Sequence, residues 1–388
     1  MTSMPLMRIP YTTPLPSPTI IPSSASTLQG AVAALGDFIT APARSGVGNG
    51  KTVILSGAGI SVASGLADYR GTNGTYTLNK TYRPIYFHEF SASHEARKRY
   101  WARSYLGWTN LHRSSPNKSH VAVANLGKTG LLSSVITQNV DSFHSKAHPT
   151  LRTLELHGYL RSTVCLSCRT EYNRDEFQKD LSNLNPSWAT FLDEMLKSGA
   201  LTTENPEARR SRGLKTNPDG DVDVPDVEYT TFRYPACPVC LKNPPKGTKV
   251  ELDDDGAWSS TSTAGVLKPA VIMFGESIPG HVKLAVESAI DEASRMLILG
   301  SSLATYSAWR LVKRAKEQGK PIAIVNIGGV RGEEQFVADI SSDSSGAQGL
   351  RCSLPLEDVL PALVGNLSPD TSKWSTMRND SFQPAPWR

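Results

Sequence analysis

The stretch Lys51-Thr52-Val53-Ile54-Leu55-Ser56-Gly57-Ala58-Gly59-Ile60-Ser61-Val62-Ala63-Ser64-Gly65-Leu66-Ala67-Asp68-Tyr69-Arg70-Gly71 carries the decisive pattern. A short apolar run with β-branched Val53 and Ile54 ends abruptly in Gly57-Ala58-Gly59, as a buried parallel strand does on entering a phosphate-binding turn. Glycines let backbone approach a pyrophosphate, and the amides that open the next helix face its negative charge. A hydride-transfer fingerprint would place its third glycine where Val62 stands, whereas the next glycine here is Gly65. The residues that follow are polar and chemically equipped (Ser61, Ser64, Asp68, Tyr69, Arg70), which points to a dinucleotide held for something other than redox.

Three further segments read as buried parallel strands: Ser134–Thr137, Arg295–Leu299 and Ile322–Asn326. With Thr52–Leu55 they imply an α/β fold, a Rossmann-like parallel sheet with helices on both faces. Each strand runs into a polar loop: Gln138-Asn139-Val140-Asp141, Gly300-Ser301-Ser302 and Asn326-Ile327-Gly328. Ligands of open α/β sheets bind beyond the carboxyl ends of the strands, so these loops should converge on one crevice. Helical spacing runs from Leu28 through Val32 and Leu35 to Ile39, from His94 to Trp108, and from Tyr306 to Gln318, where Gly319 marks a stop.

The chain has 388 residues, 39% of them hydrophobic and 20% charged, which suits one large or two modest globular domains. No apolar run is long enough for a membrane span. A net charge of +5 without a clustered basic stripe argues against a nucleic-acid partner. Oligomeric state is not readable. Residues 1–27 are rich in Pro, Ser and Thr, with no acid before Asp37, and read either as a disordered or as a targeting segment. The lone base Arg8 and six prolines between Pro5 and Pro22 oppose an amphipathic presequence helix. The division expected is a Rossmann-like first part at 28–159 with a helical module at about 70–130, a small zinc-binding domain at 160–267, a second Rossmann-like part at 268–365, and a tail at 366–388.

Of five cysteines, four form the pairs Cys165-x-x-Cys168 and Cys237-x-x-Cys240, separated by the 68 residues Arg169 to Ala236. Two such knuckles offer four thiolates to one tetrahedral Zn²⁺, leaving no open position, so the ion would be structural. Cys352 reads as a plain core cysteine. His157, in Leu156-His157-Gly158, is either structural or a general base near neutral pH. Lys268–Glu276 is either an ordinary strand or an exposed edge that captures a peptide by strand addition.

Taken in order, Gly-Ala-Gly-Ile-Ser, Ser-Gly-Leu-Ala-Asp-Tyr-Arg, Thr-Gln-Asn-Val-Asp, Leu-His-Gly, the cysteine pairs, Phe-Gly-Glu, Gly-Ser-Ser-Leu and Asn-Ile-Gly resemble the sirtuins, NAD-dependent protein deacylases. The resemblance covers about residues 30 to 365. Tyr100-Trp101-Ala102-Arg103, Gly107-Trp108, Leu184–Trp188 and Pro218-Asp219-Gly220-Asp221-Val222 look like the class II mitochondrial branch, which implies the mitochondrial matrix, with cytoplasm or nucleus as alternatives.

The resemblance implies NAD as cofactor and acylated lysine in proteins as substrate. It implies that Gly57, Ala58, Gly59, Ile60, Ser61, Asp68, Tyr69, Arg70 and Tyr76 hold the pyrophosphate side. Gly300, Ser301, Ser302, Asn326, Ile327, Gly328 and the backbone at Cys352 would surround the adenosine. Gln138, Asn139, Val140 and Asp141 would serve the ribose and nicotinamide, with Ser61, Asn139 and His157 catalytic and His157 the base. Ile272 and Phe274 would line the acyl-lysine tunnel. Nicotinamide leaves neutral, the acyl oxygen attacks the electron-poor ribose carbon, and His157 then deprotonates a ribose hydroxyl, releasing lysine and O-acyl-ADP-ribose.

Two other outcomes stay open: transfer of ADP-ribose to a protein, and a non-catalytic scaffold that binds NAD or acyl-lysine. Ala67, Phe143, His148 and Ala270 depart from the family's usual proline, leucine, glycine and polar residue, and His148 leaves the local turn open. Tyr100 and Arg103 either read an acidic acyl group or cap a helix surface.

Overall fold

The computed structural model describes residues 11, 13–43, 46–78, 82–199, 215–217, 221–224 and 227–367. Residues 1–10, 200–214, Pro218-Asp219-Gly220 and the tail from 368 lie outside the described residues. The strands in chain order are β1 (Thr52–Ser56), β2 (Leu132–Thr137), β3 (Thr153–Glu155), β4 (Gly158–Cys165), β5 (Glu171–Asn173), β6 (Lys215–Thr216), β7 (Val222–Asp223), β8 (Leu267–Val271), β9 (Arg295–Leu299), β10 (Ile322–Val325) and β11 (Gly349–Cys352).

Six of them form one sheet in the order β11-β10-β9-β1-β2-β3, and every neighbouring pair is parallel. The central strands are continuous apolar runs because both faces are covered. Val53, Leu55, Met296, Ile298, Ile322 and Ile324 point to one face, where the helices Gly280–Glu292 and Tyr306–Glu317 pack. Ile54, Leu297, Leu299, Ala323 and Val325 point to the other, against Leu28–Thr40, Lys118–Lys128 and Leu356–Leu367. The alternation is the period-two geometry of a strand.

The four strands expected from sequence are present within two residues at each end. The edge strands β3 and β11 were not anticipated. β11 contains Arg351, which is fully buried in an ion pair with Glu333 at 2.9 Å, so a charged residue occupies a core position. The N-terminal segment closes that edge: Ile21 pairs antiparallel with Arg351, and the Thr19 amide donates to Glu333 Oε1 at 2.9 Å.

A second, antiparallel sheet has the order β5-β4-β8, with β8 at its edge. It shares a core with the helix His94–Arg113, in which Phe90, Tyr100, Trp101 and Tyr105 meet Phe177, Leu181, Trp188, Phe232 and Trp258. Gly158, at φ +74°, lets β4 start against β8, since a Cβ there would sit 2.1 Å from the Ala270 carbonyl oxygen. Tyr100 and Arg103 do not cap an exposed surface. Tyr100 lies edge-on to Phe90, and Arg103 pairs with Asp221 at 2.7 Å with both side chains under a tenth exposed.

Removing one partner of a buried ion pair leaves an uncompensated charge in low dielectric. Glu333→Gln should therefore lower the unfolding free energy by about 3 kcal/mol, read from urea denaturation.

Candidate active site and metal centre

The loops after β1, β2, β9 and β10 meet at the carboxyl edge of the parallel sheet. Gly57 and Gly59 pass so close to the β9 loop that a Cβ on either would fall 2.8 Å from Ser301 or Gly300 atoms. The Gly59 amide donates to the Gly300 carbonyl at 2.9 Å, and the Gly57 amide to that of Leu299 at 3.0 Å. The glycine turn thus has a packing reason as well as the ligand reason read from its sequence. Beyond it, Ala58–Ser64 forms a short 3-10 helix ending at Gly65.

Ser61, Asn139 and Asp141 are brought together as one polar chain. Asn139 Nδ2 donates to Ser61 Oγ at 3.1 Å, and Ser61 Oγ donates to Asp141 Oδ2 at 2.7 Å. Asp141 Oδ1 accepts from the Phe143 amide at 2.9 Å. Burial pushes the Asp141 carboxyl pKa up, opposed by these donors. A carboxylate has about four acceptor positions, so Asp141 keeps capacity for a carboxamide N–H. Val140 is half-buried beside them. Gln138 ties the second loop to the third, donating from Nε2 to Ser301 Oγ at 2.7 Å and accepting at Oε1 from Thr305 at 3.2 Å.

The cofactor-loop candidates fold onto one another. Asp68 Oδ1 accepts from the Gly71 amide at 2.9 Å, and burial raises its pKa. Tyr69 stacks on Tyr76 with centroids 5.7 Å apart, and the Arg70 guanidinium lies 4.9 Å over the Tyr76 ring. Ile60 is buried beneath, and Ala58 is partly covered. Across the crevice, the Ser302 carbonyl accepts from the Arg331 amide at 2.9 Å, and Asn326 Nδ2 donates to the Gly328 carbonyl at 2.8 Å. Ile327 is 62% exposed, an apolar surface at the mouth. Cys352 is a buried core residue whose carbonyl accepts from the Asn326 amide at 3.1 Å. Arg351 and Glu333, missed from sequence, organise this loop: Arg351 donates to the Asn326 and Gly328 carbonyls, each at 2.6 Å.

His157 lies between the loop after β2, the start of the helix Tyr306–Glu317 and the segment after β8. Its Nδ1 is 3.1 Å from the Gln138 carbonyl and its Nε2 2.8 Å from Ser307 Oγ. Its own carbonyl accepts from the Ile272 amide at 2.7 Å. Ile272 and Phe274 are half-buried just past the end of β8, where the Phe274 carbonyl accepts from the Phe87 amide at 2.8 Å. Lys268 and Glu276 pair at 3.2 Å and pin this segment, and Glu276 Oε2 also accepts from the Met273 amide at 2.9 Å. Burial lowers the His157 pKa to about 4, so the ring is neutral at pH 7.

Neutral imidazoles recur beneath the loop. Ser56 Oγ donates to Thr137 Oγ1 at 2.9 Å and contacts His144 Nε2 at 2.8 Å, and His144 Nδ1 meets His148 Nε2 at 2.9 Å. His148 has φ −145°, which needs no glycine, so this departure leaves the turn intact.

The four cysteine sulfurs lie within 4.8 Å of one another, with Cys165–Cys240 at 3.6 Å and Cys168–Cys237 at 3.7 Å. A tetrahedron of sulfurs about 2.3 Å from Zn²⁺ has edges of about 3.8 Å, so the donor set fits that ion with every position filled.

These features describe a class: an α/β protein with a parallel sheet, a glycine turn and polar loops at its carboxyl edge, and four clustered cysteines that could hold a metal ion. A family model described as Sir2 family matches residues 57–307, and the chain belongs to that family, the sirtuins. It is 40% identical over 301 residues to "NAD-dependent protein deacylase SIR4" of Batrachochytrium dendrobatidis, covering 76% of this chain and 87% of that one. It is 37% identical to "NAD-dependent protein deacylase SRT2" of Arabidopsis thaliana, over 73% of this chain and 68% of that one. A solved structure described as "Structural Basis for the Mechanism and Regulation of Sir2 Enzymes" superposes with a TM-score of 0.54 at 22% identity, over 87% of this chain and 98% of the other, a likeness of fold. Among the described residues no helix is long and apolar enough to cross a membrane.

Two outcomes follow. Chelation should release one zinc per chain and unfold the small module, seen as a red shift of the intrinsic tryptophan fluorescence, and Cys240→Ser should reproduce this without chelator. Burial holds His120 at about pKa 3 and His157 at about 4, with His144 well below its ordinary value. The unfolded chain then binds more protons than the folded one below about pH 6.5, so stability falls as pH drops from there toward 4. Urea midpoints of the zinc-loaded protein at pH 7 and 5 measure it.

Proposed function

We propose that this chain is an NAD-dependent protein-lysine deacylase with His157 as its general base. The observation that carries the reading is the placement of His157, whose ring faces the loops after β2 and β9 while its carbonyl holds the segment that would pair with an acylated peptide. Relatives bearing deacylase or deacetylase names and spanning most of the chain support it.

The residues present fit NAD. The glycine turn and Arg70 suit the pyrophosphate, Asn326 and exposed Ile327 the adenosine, and the Ser61–Asn139–Asp141 chain the ribose and carboxamide. Bound there, NAD supplies an anomeric carbon that becomes electron-poor as nicotinamide departs. Asn139 and Ser61 orient groups at that carbon, Asp141 accepts from the carboxamide, and neutral His157 takes a proton from a ribose hydroxyl. Ile272 and Phe274 align the acyl oxygen and exclude water. Arg103 is paired with Asp221, so the Tyr100–Arg103 spacing does not by itself mark a reader of acidic acyl groups.

The test is product analysis with NAD and a panel of acylated peptides. Nicotinamide release should require the acyl peptide and yield O-acyl-ADP-ribose, and His157→Ala should slow turnover at least about 100-fold. Reduction of NAD with its glycosidic bond intact contradicts the reading. A protein that gains ADP-ribose without acyl loss assigns the transferase instead, and binding without nicotinamide release assigns the scaffold.

A further inference from the structure

We infer that Ser307 is a positioning residue for His157, holding the imidazole with its Nε2 lone pair toward the crevice and occupying that lone pair until a substrate hydroxyl replaces it. The inference rests on the assignment of His157 as base and adds a residue to that site.

The argument is one of donors and acceptors. The Gln138 carbonyl has only lone pairs to offer, so the proton on the neutral His157 ring sits at Nδ1, 3.1 Å away. Nε2 is then an acceptor, and the group 2.8 Å from it, Ser307 Oγ, must donate. The base nitrogen therefore already carries an O–H donor in the free protein, at the distance a ribose hydroxyl would need.

Ser307 is held there by more than its own rotamer. It lies in the first turn of the helix Tyr306–Glu317, whose next residue, Ala308, is fully buried against the sheet. Two residues earlier, Thr305 Oγ1 donates to Gln138 Oε1 at 3.2 Å, while Gln138 Nε2 donates to Ser301 Oγ at 2.7 Å. The contacts close a circuit, from His157 to the Gln138 backbone, through the Gln138 side chain to Thr305, and back through Ser307 to His157. A shift of the loop between β9 and this helix on nucleotide binding would thus reach the base through Ser307.

A hydroxyl donated to Nε2 favours the neutral ring. Removing it lets the ring rotate and be protonated more readily, so the acidic limb of the rate profile moves to higher pH. Ser307→Ala should lower kcat about fivefold or more and move the acidic limb of kcat/KM, which reports the free enzyme, up by about half a pH unit, with KM for NAD nearly unchanged. Ser307→Thr keeps the hydroxyl and should restore both. The wild-type protein labelled with ¹⁵N-histidine should show His157 protonated at Nδ1 alone, a readout independent of whether the alanine variant folds.

If His157→Ala abolishes turnover while Ser307→Ala keeps the wild-type kcat and acidic limb, the role of Ser307 is overturned and that of His157 stands. A proton on Nε2 in the free wild-type protein also overturns it. Full turnover by His157→Ala removes the base assignment and the inference with it.

Discussion

The site depends on the close approach of two backbone turns, Gly57–Gly59 after β1 and Gly300–Ser301 after β9. Gly59 meets Gly300 with no Cβ on either side and Gly57 leaves room for the Ser301 Cβ, while amide-to-carbonyl hydrogen bonds at 2.9 and 3.0 Å clamp the turns. Any larger residue would force the carboxyl ends of two central strands apart. With the turns locked, Gln138 reaches from the neighbouring strand to Ser301, and the loops after β1, β2 and β9 become one rigid rim. A rim that loses little freedom on binding is preorganised for a flexible dinucleotide.

Around that rim the chain buries charge in pairs. Arg351 with Glu333 secures the Asn326–Gly328 loop, Lys268 with Glu276 secures the segment after β8, and Arg103 with Asp221 joins the long helix to the residue before β7. Such pairs add little net stability against an apolar replacement, but they penalise every arrangement in which a partner is missed. The first two lie at loops that carry proposed ligand contacts, so their value is in register. The imidazoles follow the opposite rule: buried His120 and His144 and half-buried His157 are held neutral by desolvation.

What could be read from the residues is explained by the same physics. β1, β2, β9 and β10 are covered on both faces, so their sequences are uninterrupted apolar runs and stand out. β3 is three half-buried residues, and β11 hides its core position behind Arg351, whose partner Glu333 opens the helix Glu333–Val337. The four cysteines were legible because metal geometry imposes local spacing, and they do cluster. Ser307 and Glu333 had no comparable signal: Ser307 meets His157 across 150 residues of sequence, and a lone serine at a helix start reads as a cap. Tyr100 and Arg103 had the spacing of a ligand-reading pair, but the contact that occupies Arg103 comes from Asp221, far along the chain. Pairings between distant polar residues are decided by tertiary packing, and no period in the chain records them.

The central claim is that the loops after β1, β2, β9 and β10 form a single dinucleotide site. Hydrogen–deuterium exchange with and without NAD tests it directly. Protection should rise together in the segments around 57–65, 138–144, 300–307 and 326–331, and leave the cysteine knuckles unchanged. Protection confined to one of these loops, or centred on the zinc module, would contradict the account.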